Sequence, residues 1–277
     1  MKEPGPAQPA EPEPPGPVPP AEQEPHADAS PAWAARRVNP WSAFMRAEHA
    51  AVRRAESVPF PAWLRRTPGE PRWPVTLTVV VAIGLQLLLP NRLSALRYVL
   101  PVLECALLAG LIIANPVRIE RRSRFVAAAS IVLTLLITAA NAVSAVLLVR
   151  AILEGKANEG PLPLLGSGAA IWLTNVIAFA LWYWEFDRGG PVHRAGGTSP
   201  YPDLMFPQMA SPELAPPEWE PRFVDYLYLS FTNATAFSPT DVMPLARWAK
   251  LTMLVQSGVS LALVVLVVAR AVNILNT

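Results

Sequence analysis

Two places in this chain put chemistry-bearing residues where apolar ones are expected. The first is Glu104, an acid about two turns into an apolar run, beside Pro101 and Cys105. An ionisable group at membrane depth marks an ion or proton pathway, or a carboxyl kept neutral against a neighbouring helix. The second is the stretch PRFVDYLYLSFTNATAFSPTDVMP at 221–244, where Ser230, Thr232, Thr235, Ser238 and Thr240 interleave with aromatics and end on Asp241. Other chemistry finds no support. One cysteine, Cys105, allows neither an intrachain disulfide nor a cysteine-based metal cluster. The three histidines, His26, His49 and His193, fall outside the apolar runs and supply no converging ligand set. With no nucleophile–base pair, metal set, cofactor site or phosphate loop, no enzyme is expected, and a net charge of +2 gives no footprint for nucleic acid.

The elements that must position these residues are read from the partition of charge. The 277 residues are 52% hydrophobic and only 16% charged, against about a quarter in soluble domains. Residues 75–150 are mostly apolar, while residues 1–72 hold nine Lys/Arg and nine Asp/Glu. Such a chain serves two solvents, water and lipid. Five apolar runs, Trp73–Pro90, Tyr98–Ala114, Phe125–Val149, Leu164–Trp184 and Leu251–Val272, each approach the ~20 residues that cross a bilayer as helix. Pro90-Asn91-Arg92, Asn115-Pro116 and Glu154-Gly155-Lys156 separate them. Trp182-Tyr183-Trp184 predicts an aromatic belt at the headgroups, before the Gly189-Gly190-Pro191 stop.

The expected organisation is an all-α membrane protein. Residues 1–38 are a disordered proline-rich tail, for twelve prolines in residues 1–40 leave almost no large apolar side chain to bury. Residues 39–72 form an amphipathic juxtamembrane segment, with Asn39 as cap and Trp41, Phe44, Met45 and Val52 at helical spacing. A four-helix transmembrane region (73–186), a loop (187–220) and a re-entrant hairpin with a last transmembrane helix (221–277) complete it. No cleavable signal peptide opens the chain. Arginines and lysines in short connections divide fourteen against five with the N-terminus in the cytoplasm, which predicts N-in insertion in a bacterial inner membrane and places the hairpin on the cytoplasmic side. Asn141 with Ser144, Asn175, and Gln256 with Ser260 lie at helix-packing spacings and are read as polar glue, with Gly258 permitting close helix approach.

The segment at 221–244 predicts a helix of three to four turns from Phe223, Tyr226, Leu227 and Phe231, too short and polar to span, ending at Ser238-Pro239. A half-length helix and an irregular polar stretch between two spanning helices make a re-entrant hairpin. The run from Ser230 to Asp241 resembles the pore helix and filter of tetrameric potassium channels, with Thr235 in the pore helix and Asp241 and Pro244 at matching spacing. The layout of four helices, hairpin and last helix also resembles an uncharacterised bacterial membrane-protein family with a similar aromatic-Ser-Phe-Thr stretch. The channel resemblance implies a homo-oligomer, four chains around a pore for monovalent cations. Asp241 would then stand at the mouth, and Ser230, Thr232, Thr235, Ser238 and Thr240 would supply oxygens. The filter glycines are replaced by Ala236-Phe237-Ser238-Pro239-Thr240. Pro239 fixes φ near −65°, so potassium selectivity is not implied. Potassium channels also enter their pore loop from outside, opposite to the side the arginines indicate. Two other classes remain open: a small solute or proton-coupled transporter using Glu104, and a non-transporting scaffold. Asp241 also qualifies as a cap for the last helix.

Overall fold

A computed structural model of the chain describes residues 62–94, 96–119, 123–155, 160–199, 201–235 and 241–275. The expected tail, most of the juxtamembrane segment, and Ser238, Pro239 and Thr240 lie outside the described residues. Eight helices, α1 to α8, are described: Trp73–Leu88, Val99–Ala114, Arg124–Leu153, Pro161–Phe186, Pro191–Gly196, Pro207–Ala210, Phe223–Thr235 and Arg247–Leu275. Two strand pieces, β1 (Leu204–Met205) and β2 (Met243–Pro244), pair antiparallel. Among the described residues, three helices are long and apolar enough to cross a membrane: α3, α4 running on into α5, and α8. α1 and α2, at 16 residues each, are apolar but shorter. Each is about 24 Å long, against ~30 Å of hydrocarbon. This is a helical membrane protein, and its surface agrees: Val132, Leu135 and Val146 on α3 and Leu254, Val255 and Val265 on α8 are exposed.

The helix ends are set by local chemistry. Ser123 caps α3 by accepting the Phe125 N–H at 3.2 Å. Gly160 precedes α4 at φ 85°, and Pro161 starts the helix without a wasted donor. Hydroxyls inside the apolar helices turn back on their own backbones: Thr78 to Pro74, Thr174 to Ala170 and Thr252 to Trp248, all at 2.8 Å. No water is needed to satisfy them.

α4 is the central helix. Thr174 to Leu181 are buried without interruption, as expected for a helix covered on every side. α1, α3, α7 and α8 all pack on it. Close approach is given by Gly168 of α4, where an added Cβ would lie 2.8 Å from Val267 of α8. At Gly258, where close approach was expected, nothing lies within 4 Å of that position. The expectation fails because Gly258 faces away from its neighbours in the chain.

One end of the bundle carries the connecting structure. The segment before α1 pairs with the one after α2, with Arg72 N–H to Val117 O at 3.1 Å and Ile119 N–H to Glu70 O at 3.1 Å. The same end holds β1 and β2, with Leu204 opposite Pro244. Residues 187–220 are therefore not a plain loop but short helices and a strand packed on this end. At the opposite end Leu89, Leu93, Leu148, Leu164 and Ala271 form a second apolar cluster.

Candidate functional site

α7 is fixed at its start by a buried charge cluster. Glu70 accepts from Arg194 Nη2 at 2.9 Å, from Trp184 Nε1 at 2.9 Å and from the Phe223 backbone N–H at 3.1 Å. Arg194 also donates to the carbonyls of Trp184 and Asp187, and lies over the Tyr226 ring at 4.9 Å. Asp187 accepts the Tyr226 hydroxyl at 2.6 Å and the backbone N–H groups of Asp203 and Leu204. Arg188 holds a left-handed backbone at φ 50°, donates to Trp63 O at 2.7 Å and pairs with Asp187 at 3.5 Å. All four charged groups are buried. Buried charge survives only when it is paired and bonded in this way. The cluster joins the chain before α1, the turn after α4 and the first turn of α7.

Further along, α7 is tied to α4 and α8 by a seam of uncharged polar groups. Ser230 Oγ donates to Val176 O at 2.6 Å, ten residues before the end of α4. Gln256 of α8 accepts from Tyr183 at 2.7 Å and from Asn233 at 2.8 Å, and donates to Ser230 O and Oγ. Asn233 also reaches Met253 O, and Ser257 donates to Asn233. Val176 and Gln256 stand about 14 Å along their helices from the end where α7 begins. By Met243 the chain is back beside β1 at that end. Asn175 donates to Ser260 at 3.1 Å, so the reading of Asn175, Gln256 and Ser260 as interhelical glue matches the contacts.

The aromatic triplet is a correction. Tyr183 and Trp184 are buried and Trp182 donates to Thr138 at 2.9 Å, so the three serve as internal donors rather than a headgroup belt. The triplet precedes the turn into the charge cluster, where buried acceptors are at hand. The capping role weighed for Asp241 also fails. α8 starts at Arg247, with β2 between them, and Asp241 is exposed.

Of the other sequence-selected residues, Ser230 is fully buried. Thr232 donates to Tyr228 O and Leu229 O, and Thr235 donates to Thr232 O. These three lie on α7, with Asp241 at the end where the chain returns. Glu104 is elsewhere, on α2, fully buried, with Oε1 3.4 Å from Gln86 Nε2 and Oε2 without a partner.

Sequence reasoning missed a partly open cavity of about 230 Å³ lined by α1 to α4 and the turn into α5, near the connected end. Its wall is apolar, with Val75, Val79, Leu108 and Leu111 prominent, and its polar groups are Arg72, Asn115, Ser130, Thr134 and Glu185. Glu185 accepts from Ser130. Arg72 is 8% exposed, donates weakly to Asn115 O at 3.4 Å, and has its Nε–H buried without an acceptor. Burial lowers its pKa below the usual arginine value. Nothing in the spacing of residues 72 and 185 announces that they share a cavity. Among the described residues no group of His, Cys, Asp and Glu is arranged to hold a metal ion. Comparison with protein-family models, with curated proteins and with solved structures gave no match to this chain.

Proposed function

We propose that α1, α2, α3, α4 and α8 cross the membrane and that α7 with its return forms a re-entrant hairpin. Copies of the chain assemble around these hairpins to give small cations a path. The observation that carries this reading is the placement of α7. Its first residue is bonded at the connected end of the bundle, its Asn233 is bonded to Gln256 about a third of the way along α8, and the chain is back at the starting end by Met243. A segment that enters and leaves by one face reaches membrane depth without crossing. Non-helical backbone there is tolerated only against protein or water.

Two further features support assembly. Val224, Tyr228 and Phe231 place an exposed apolar stripe along α7, and one hairpin cannot enclose an ion path. Closed symmetric assembly is the usual solution, and four chains is the number that the potassium-channel resemblance implies. The arginine distribution puts the connected end, and so the hairpin mouth with Asp241, on the cytoplasmic side of a bacterial inner membrane.

The test is cation flux into liposomes holding purified protein, beside a potassium channel as positive control. Asp241→Asn should lower flux severalfold at low salt, because a mouth carboxylate concentrates cations. The loss should shrink at high ionic strength. Liposomes impermeable to potassium, sodium and protons alike would remove the pore reading.

A second reading rests on Glu104. A fully buried carboxyl with one oxygen unpartnered, on the helix that also lines the cavity, suits a proton-coupled transporter. Proton-driven uptake abolished by Glu104→Gln, with no cation leak in the wild type, would select it.

A further inference from the structure

The cavity lined by α1, α2, α3 and α4 lies apart from the hairpin and adjoins the charge cluster through Trp184, and its lining has an unusual charge arrangement. Arg72 enters it from the start of α1, nine-tenths buried, with its Nε–H lacking an acceptor. Glu185 enters from the last turn of α4 and is held by Ser130. The two are not ion-paired with each other, although both are charged groups of the same lining. The nearby carboxylate of Glu70 bonds Arg194, Trp184 and Phe223 and makes no bond to Arg72. A buried guanidinium without a counter-charge is costly, and a ligand anion would remove that cost.

The rest of the lining narrows the class. A simple anion would satisfy Arg72 but would then face Glu185. A simple cation would meet Arg72. A molecule carrying both signs satisfies both ends. Further into the bundle than the charged groups, along α1 and α2, the wall is Val75, Val79, Leu108 and Leu111, which favours a ligand with an apolar body. The volume, about 230 Å³, falls below the ~300–1,000 Å³ of pockets for drug-sized molecules, so the ligand is small. We propose that this cavity binds a small zwitterion with an apolar side group, the chemistry of an aliphatic amino acid, its acid on Arg72 and its ammonium on Glu185.

The same pairing of charges occurs in a phospholipid headgroup, and the two sources separate by experiment. Full-length protein in detergent is titrated with L-leucine, 4-methylpentanoate, isopentylamine and glycine, following binding by equilibrium dialysis and thermal midpoint. Leucine should bind saturably and raise the midpoint. The two single-charge analogues, each lacking one pole, and glycine, lacking the apolar body, should each bind at least about tenfold more weakly. Arg72→Gln should abolish leucine binding, and Arg72→Lys should restore part of it. Should Arg72→Gln fail to fold, the wild-type panel alone decides. Equal binding of 4-methylpentanoate and leucine would overturn the zwitterion assignment, as would no binding of leucine at millimolar concentration. A phospholipid retained through purification, seen by native mass spectrometry and lost in Arg72→Gln, with leucine without effect, would overturn the free-solute form. None of these readouts depends on ion flux, so the site stands or falls separately from the hairpin.

Discussion

Replacing Glu70 by alanine should lower stability by about 4 kcal/mol. The carboxylate is 4% exposed and accepts three donors within 3.1 Å, one of them the Arg194 guanidinium, itself 4% exposed. Removing one partner of a buried ion pair costs about 3–5 kcal/mol, because the surviving charge stays desolvated. Arg194 keeps the carbonyls of Trp184 and Asp187, which softens that figure. The Trp184 indole and the Phe223 N–H lose their acceptor, at about 1–3 kcal/mol each if water does not replace it. These terms share one site and do not add, so the expected loss stays within the ion-pair range, at about 4 kcal/mol. Against a total of roughly 5–15 kcal/mol the loss is large. Glu70→Gln keeps an acceptor for the indole and the amide but loses the charge, and should cost about half as much. The assay is reversible unfolding in mixed micelles followed by tryptophan fluorescence, with an Arg194→Met cycle to isolate the coupling. A Glu70→Ala loss under 1 kcal/mol, or the same loss with and without Arg194, would refute the reasoning.

Three other changes probe the packing around α4. Gly168→Ala should destabilise by about 1–2 kcal/mol in the same unfolding assay, since its Cβ would meet the stiff, β-branched Val267 at 2.8 Å. Gly258→Ala, with nothing within 4 Å, should be neutral or stabilise by up to about 1 kcal/mol through helix propensity. Gln256→Leu should cost about 2 kcal/mol and loosen α7, read as faster amide exchange in residues 226–235. It breaks four interhelical bonds, each worth roughly 0.6 kcal/mol in a bilayer.

The helices were legible because hydropathy is a local signal. All five apolar runs coincide with helices whose ends move by a few residues, and the spacing of Phe223, Tyr226 and Phe231 located α7. Asn175, Gln256 and Ser260 could be read as glue because a lone amide or hydroxyl in an apolar helix has few other uses. What failed was pairing across distance. Glu70 and Arg194 are separated by 124 positions, and no periodicity links them. Arg188 and Arg194 count among the fourteen basic residues that set the expected orientation, yet both are buried in bonds. The aromatic triplet was misread for the same reason, its acceptors Glu70, Thr138 and Gln256 lying on other segments. The cavity depends on four helices meeting, which composition does not encode.

The central claim is that the chain enters and leaves the membrane by one face around α7, and that this face is cytoplasmic. The direct measurement uses an impermeant thiol reagent on single cysteines placed in a Cys105→Ala background at Arg222, Asp241 and Arg92, all three exposed. In intact cells only the cysteine at 92 should label, and those at 222 and 241 should both label once the membrane is opened. Labelling of 222 and 241 from opposite sides would make α7 a span and contradict the hairpin. Labelling of both in intact cells, with 92 protected, would reverse the orientation.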